Sequence, residues 1–225
     1  LLMLPFLIDM LGIQGGEKAL KTAVQACVFI ILAASYDILM GYTRIVSLAH
    51  ALFFAIGAYA VGISMRYLGS GWGWLVVGVF LGLTVSALIS LLVALVGLRI
   101  RDIYFTIITF AIAAGARSLV IKFSGFTGGV GGLIFDQGIP DLLSQRWPLF
   151  MGTEIRLVAY YLVVGITLMI FFFLLRVVNS PFGKILSAIG ENEFRSTAVG
   201  FHVNRYRISA IILAGGIASI AGSLY

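Results

Sequence analysis

Runs of apolar residues long enough to cross a bilayer follow one another along this chain, and they leave few alternatives for its fold. Thr22–Met40, Ile45–Met65, Trp72–Leu98, Ile103–Ile121 and Leu157–Leu175 each approach or exceed the ~20 residues that a spanning helix needs. Leu1–Leu11 is half of such a run, and another opens at Ile208 and continues to Tyr225. Hydrophobic residues make up 61% of the chain and charged residues 11%. An average soluble domain carries about 25% charged residues. A water-soluble fold of 225 residues would have too little polar surface to cover itself. The expected architecture is therefore all-α: one polytopic transmembrane helix bundle over residues 1–225. The 27 glycines agree with it, because glycine lets helices approach closely in lipid.

Between these runs lie polar breaks: Gly12–Lys21, a tight turn at Gly41–Arg44, Arg66–Gly71, a charged turn at Arg99–Asp102, and a long loop over Lys122–Arg156. The chain opens without a basic leader or initiator Met and closes inside an apolar run, so it reads as a fragment cut at both ends. The formal charge of +6 comes from basic residues scattered singly and in pairs at the ends of spans. Membrane topology and lipid headgroups account for them, and no nucleic-acid surface is expected. The single cysteine, Cys27, permits no internal disulfide and reads as a small buried hydrophobe.

One stretch breaks the pattern. Residues 177–207, VVNSPFGKILSAIGENEFRSTAVGFHVNRYR, form a polar, basic insertion between two strongly apolar segments. With this loop inside, Arg44, Arg99, Arg101, Arg176, Lys184, Arg195, Arg205 and Arg207 fall on the cytoplasmic face. Lys18, Lys21, Arg66, Lys122, Arg146 and Arg156 fall outside, so the balance is eight against six in favour of this orientation. Within the loop, Ser180-Pro181 can start a helix, serine as N-cap and proline in the first turn. Gly190 is expected to break it. Glu191, Asn192 and Glu193 then open a second helix, with acids at the positive end of its dipole, and Gly200 closes it. Glu191–Val199 thus reads as a two-turn helix outside the membrane. The plainer alternative is a solvated connector.

Polar residues inside the spans are few, as their cost of about 2.5–3.5 kcal/mol at the bilayer centre requires. Asp37 and Arg44 flank one short turn and are placed to pair across it. Arg117 can snorkel to the headgroups. One Asp and one His make a poor proton relay. There is no nucleophile with its base, no metal-ligand set and no phosphate-binding loop. The chain is not expected to be an enzyme. Small residues at four-residue spacing, Gly78 with Gly82, Ala111 with Gly115 and Ala218 with Gly222, mark faces for close packing. Ser47-Leu48-Ala49-His50 could be a broken helix lining a path, with ordinary helix packing as the rival. Thr127, Gly128 and Gly129 could offer backbone N–H groups to a carboxylate, against a plain flexible turn.

Three segments in order resemble one family. They are SLAHALFFAIGAYA at Ser47–Ala60; Tyr104–Phe110 followed by GFTGGVGGL at Gly125–Leu133; and SPFGKILSAIGENEFRSTAVGF at Ser180–Phe201 running into NRYRISAIILAGGIASIAGSLY. Together they are similar to the permease subunits of branched-chain amino acid ABC importers, in the LivM-like branch. Family members often carry alanine at the places of Ser196 and Thr197. The resemblance implies a cytoplasmic coupling loop over 177–207 that docks on a separate ATPase, carried by Ser180, Pro181, Phe182, Gly183, Glu191, Glu193, Ala198 and Gly200. It implies a bacterial inner-membrane importer with a second, LivH-like permease, two ATPase subunits that hold ATP and Mg, and a periplasmic or lipid-anchored solute-binding protein. No cofactor is then expected on this chain. The solute implied is a branched-chain or other apolar amino acid, with urea or a short amide as the alternative. An ion-coupled secondary transporter or channel using Asp37 and His50 is the rival from another class.

Overall fold

The computed structural model describes residues 16–69, 71–97, 102–133, 147–148, 154–155 and 157–225. The Leu1–Leu11 half-span, the Arg99/Arg101 pair, and Arg146 and Arg156 lie outside the described residues. The architecture is an all-α polytopic bundle. Helices α1 (Gly16–Asp37), α2 (His50–Leu68), α3 (Trp72–Gly97), α4 (Asp102–Lys122), α6 (Leu157–Asn179) and α9 (Val203–Leu224) are long and apolar enough to span a membrane. Short elements join them: α5 (Ser124–Thr127), a 3₁₀ turn (Gly129–Gly131), α7 (Pro181–Glu191) and α8 (Glu193–Ala198). Among the described residues the one strand pairing is a two-residue antiparallel pair, β1 (Trp147–Pro148) with β2 (Glu154–Ile155), inside the expected long loop.

Helix α9 is the axis. It packs on α1, α2 and α3, while α6 leans on the other side of α1. Its core face is Ala210, Ala214, Ala218 and Ala221, all fully buried. In lipid no hydrophobic force draws helices together, so close backbone approach has to do it. That approach is tightest where α2 crosses α9. A Cβ at Gly57 would fall on the Ser219 carbonyl, and one at Gly222 on the Phe54 carbonyl. Gly82 of α3 closes the same junction against Gly57. The Gly78/Gly82 and Ala218/Gly222 spacings are therefore contact faces. Ala111/Gly115 is not: both are exposed on α4, and Gly115 meets no neighbour. Ser86 adds an interhelical bond, its hydroxyl donating to the Gly215 carbonyl at 2.9 Å. Ser86→Ala should cost about 0.6 kcal/mol, the usual worth of such a bond in a membrane. It would register as a slightly lower midpoint in a detergent denaturation series.

The structure corrects several boundaries. Helix α1 starts at Gly16, so Lys18 and Lys21 sit in its first turns and not in a polar break. It ends at Asp37 and continues as a π-helical turn, Ile38–Tyr42. The second span starts at His50 and not at Ile45, leaving Thr43–Ala49 as an irregular elbow. Asp37 and Arg44 do not pair; Asp37 is exposed, its carboxylate lying over Gly41. Exposed Tyr67, Trp72, Trp74, Phe123 and Phe126 gather at the end of the bundle opposite the elbow, the pattern of an interfacial aromatic belt.

Candidate coupling site

The segment between α6 and α9 folds as two short helices against one end of the bundle. Ser180 caps α7: it is extended (φ −77°, ψ 165°), its hydroxyl accepts from the Gly183 N–H, and Pro181 takes the first position. The buried face of α7 is Gly183, Leu186 and Ile189, with Lys184 and Ala188 turned to solvent. That spacing lays the helix flat on the bundle.

Gly190 does not break α7, which runs on to Glu191. Its lack of a side chain serves a contact instead, because the Tyr42 carbonyl occupies the place of a Cβ. The break falls at Asn192. Its backbone is extended (φ −155°, ψ 101°) and its side chain accepts from the Arg195 N–H at 2.9 Å, so it caps α8. Glu191 therefore ends the first helix, and Glu193 opens the second. The second helix is Glu193–Ala198, shorter than Glu191–Val199. Gly200, with φ +99°, closes it as expected. The Gly200 N–H bonds the Thr197 carbonyl at 2.9 Å and the Phe201 N–H bonds the Ser196 carbonyl at 3.1 Å, the paired bonds of a Schellman ending. Asn192→Ala should cost about 1 kcal/mol of local stability. Amide exchange should quicken over residues 193–199 and stay unchanged in the spans.

Among the described residues, helix α8 is tied to the bundle on one side. Glu193 accepts from Arg207 Nη2 at 3.0 Å, the pair being half-buried. Tyr206 holds the rings of Phe182 and Phe201 at centroid distances of 5.9 and 6.2 Å. Ser196 is buried beneath the helix. The opposite side is bare. Phe194 is 84% exposed and Val199 71%, with Thr197 and Ala198 exposed between them. These two residues were not among those the sequence singled out. The signal was present: Phe194 is the one aromatic within the run ENEFRSTAVG.

The elbow stands next to α7 and passes its contacts inward. Arg44 is held at φ +54°, a left-handed conformation that is costly for a residue with a Cβ. Two threonines of α4 stitch the elbow: the Thr106 hydroxyl donates to the Val46 carbonyl (3.0 Å), and Thr109 Oγ1 accepts from the Leu48 N–H (3.1 Å). Ser47 and His50 are buried. The Ser35 hydroxyl lies 2.7 Å from the Leu32 carbonyl and 2.8 Å from His50 Nε2. Among the described residues the buried His50 Nδ1 and Ser47 Oγ have no hydrogen-bond partner.

Thr127, Gly128 and Gly129 lie at the other end of the bundle, beside the stacked rings of Tyr67 and Phe126. Their N–H groups donate to Phe123 O, Ser124 O and Thr127 Oγ1. The structure thus brings together Ser180–Gly200 and the elbow, and sets the 127–129 turn apart from both. Among the described residues no group of His, Cys, Asp and Glu could hold a metal.

Six helices long and apolar enough to span a membrane define the class as a polytopic helical membrane protein. Residues 19–225 match the family described as branched-chain amino acid transport system / permease component, and the chain belongs to that family. It is 26% identical over 220 residues to the high-affinity branched-chain amino acid transport system permease protein LivM of Salmonella typhimurium, and 25% identical over 220 residues to that of Escherichia coli. Each alignment covers 90% of this chain and 51% of the relative. The probable LivM of Methanocaldococcus jannaschii is 26% identical over 228 residues, covering 88% and 64%. The chain therefore spans between half and two thirds of the length of these relatives. No solved structure gives a significant match.

Proposed function

We propose that this chain forms one half of the pore of an ATP-driven importer for branched-chain or other apolar amino acids, in a bacterial inner membrane. A second, LivH-like permease supplies the other half. Two ATPase subunits bind below, and a soluble binding protein delivers solute from outside. The observation that carries the reading is the bare face of α8. A phenylalanine 84% exposed on a polar stub beyond the spans is left uncovered by the described residues. Buried aromatic anchors are what protein interfaces are built around. The names of the relatives supply the solute class.

Force enters through α8 and leaves it by two routes. The Glu193–Arg207 ion pair and the Phe182–Tyr206–Phe201 ring cluster carry it into the first turn of α9. Gly190, seated on the Tyr42 carbonyl, carries it through the π-helical turn and elbow to α2. The chain performs no covalent chemistry in this scheme. The test is uptake into proteoliposomes holding the permease pair, ATPases and binding protein. Labelled leucine should enter only with ATP, and labelled urea and acetamide should stay outside. Uptake driven by a proton gradient through the permease without ATPase would overturn the reading.

A further inference from the structure

The elbow and the Tyr42 that precedes it are gripped by two different helices. Gly190 of α7 seats against the Tyr42 carbonyl, so closely that a Cβ there would have no room. Two threonines of α4 hold the elbow's backbone: the Thr106 hydroxyl donates to the Val46 carbonyl at 3.0 Å, and Thr109 Oγ1 accepts from the Leu48 N–H at 3.1 Å. The ends of the elbow are pinned to each other, because Ser35 Oγ of α1 and His50 Nε2 of α2 lie 2.8 Å apart across it. Its first residues are stiffened by the Leu39 carbonyl, which accepts from the Thr43 hydroxyl at 2.7 Å and from the Ile45 N–H at 3.0 Å. A short segment pinned at its ends and gripped by two helices passes a displacement of one to the other.

The spans differ in how far they can answer such a push. Helices α2, α3 and α9 meet backbone to backbone at Gly57, Gly82 and Gly222, and Ser86 adds its bond to the Gly215 carbonyl. Close-packed crossings of this kind transmit strain and move as a block. Among the described residues α4 is the least buried of the six spans. Its inner end touches α3 through the Phe105 ring, which lies over Gly97. Its outer end runs into α5, where the Phe126 ring stacks on Tyr67 of α2 at a centroid distance of 5.3 Å. We propose that α4 is a lever. The stack on Tyr67 is its fulcrum, the elbow is the rod that drives its inner end, and Thr106 and Thr109 are the coupling residues that join rod to lever. This rests on the importer reading above for the source of the push on α7. It adds a branch to the route already described. Force that reaches α2 meets the block, and the hydrogen-bonded elbow turns the remainder into a tilt of α4.

The experiment reads spin-label distances by double electron–electron resonance, with the full chain in nanodiscs. Labels go on exposed positions, and the buried Cys27 stays as it is. Ile107→Cys on α4 with Leu92→Cys on α3 reports the inner end of the lever. Ser118→Cys with Val77→Cys reports its outer end, and Leu92→Cys with Ser209→Cys on α9 is the control within the block. Gly190→Ala presses a methyl onto the Tyr42 carbonyl and forces α7 and the elbow apart without any ATPase. It should shift the inner pair, move the outer pair less and leave the control unchanged. Adding Thr106→Val and Thr109→Val, which keep the shape and remove the hydroxyls, should cancel the shift. Thr106→Ser and Thr109→Ser, which keep the hydroxyls, should let it return. In the permease–ATPase complex a non-hydrolysable ATP analogue should shift the same inner pair. The two valines should abolish that shift and ATP-driven leucine uptake while ATP hydrolysis persists, and the two serines should retain all three. An inner pair indifferent to Gly190→Ala, an equal shift in the control, or a shift that survives both valines would overturn the lever. If leucine enters with ATP while the inner pair never moves, the lever falls and the importer reading stands. If Gly190→Ala gives the threonine-dependent shift but no uptake requires ATP, the importer reading falls and the lever stands.

Discussion

Phe194→Asp is expected to release the ATPase subunits from the purified complex and abolish ATP-driven uptake. An aromatic at the centre of an interface is worth about 2 kcal/mol or more, so affinity should fall by roughly 30-fold at least. The carboxylate adds the cost of a buried, unpaired charge. The permease itself should be unaffected, because Phe194 touches nothing that holds the bundle: it is 84% exposed, while the ties of α8 run through Glu193 and Ser196. Thermal stability of the isolated chain and ATPase co-purification, measured side by side, separate the two effects. Phe194→Leu should retain part of the binding. Unchanged co-purification in Phe194→Asp would remove α8 from the interface.

Gly57→Ala should have the largest effect on the fold itself. The added methyl would fall on the Ser219 carbonyl, which is backbone and cannot swing aside. Helices α2 and α9 must separate, and α3 with them, because Gly82 packs on the same point. Overpacking of this kind costs about 1–3 kcal/mol. Gly222→Ala should behave alike against the Phe54 carbonyl. The two share one crossing, so the double substitution should cost less than the sum. Gly165→Ala in α6 is the matched control: nothing stands within 4 Å of the added methyl. Denaturation midpoints in detergent should fall for the first two and hold for the third.

The features legible in the sequence were those set by local chemistry. Ser180-Pro181 capped a helix, Gly200 closed one, and the glycines of α3 and α9 marked contact faces, each for reasons contained within a few residues. The features that were not legible depend on distant partners. Ile45–Ala49 is apolar enough to read as helix, and the side chains of Thr106 and Thr109, about 60 residues away, help to satisfy its backbone in another shape. Gly190 read as a breaker because its partner, the Tyr42 carbonyl, is remote in sequence. The expected Asp37–Arg44 pair failed because the π-helical turn and the left-handed Arg44 redirect both side chains. Phe194 was not legible as exposed because acids and glycines mark only the ends of α8, whereas which of its faces stays bare is set by the packing of Glu193 and Ser196 on the bundle.

The most direct measurement places a cysteine at Thr197, on the exposed side of α8, with Cys27 buried and out of reach. In intact cells an impermeant maleimide should leave it unlabelled. After the membrane is opened it should react, and a short bifunctional reagent should join it to the ATPase subunit. Labelling from outside an intact cell would put the stub on the wrong face of the membrane and contradict the whole scheme.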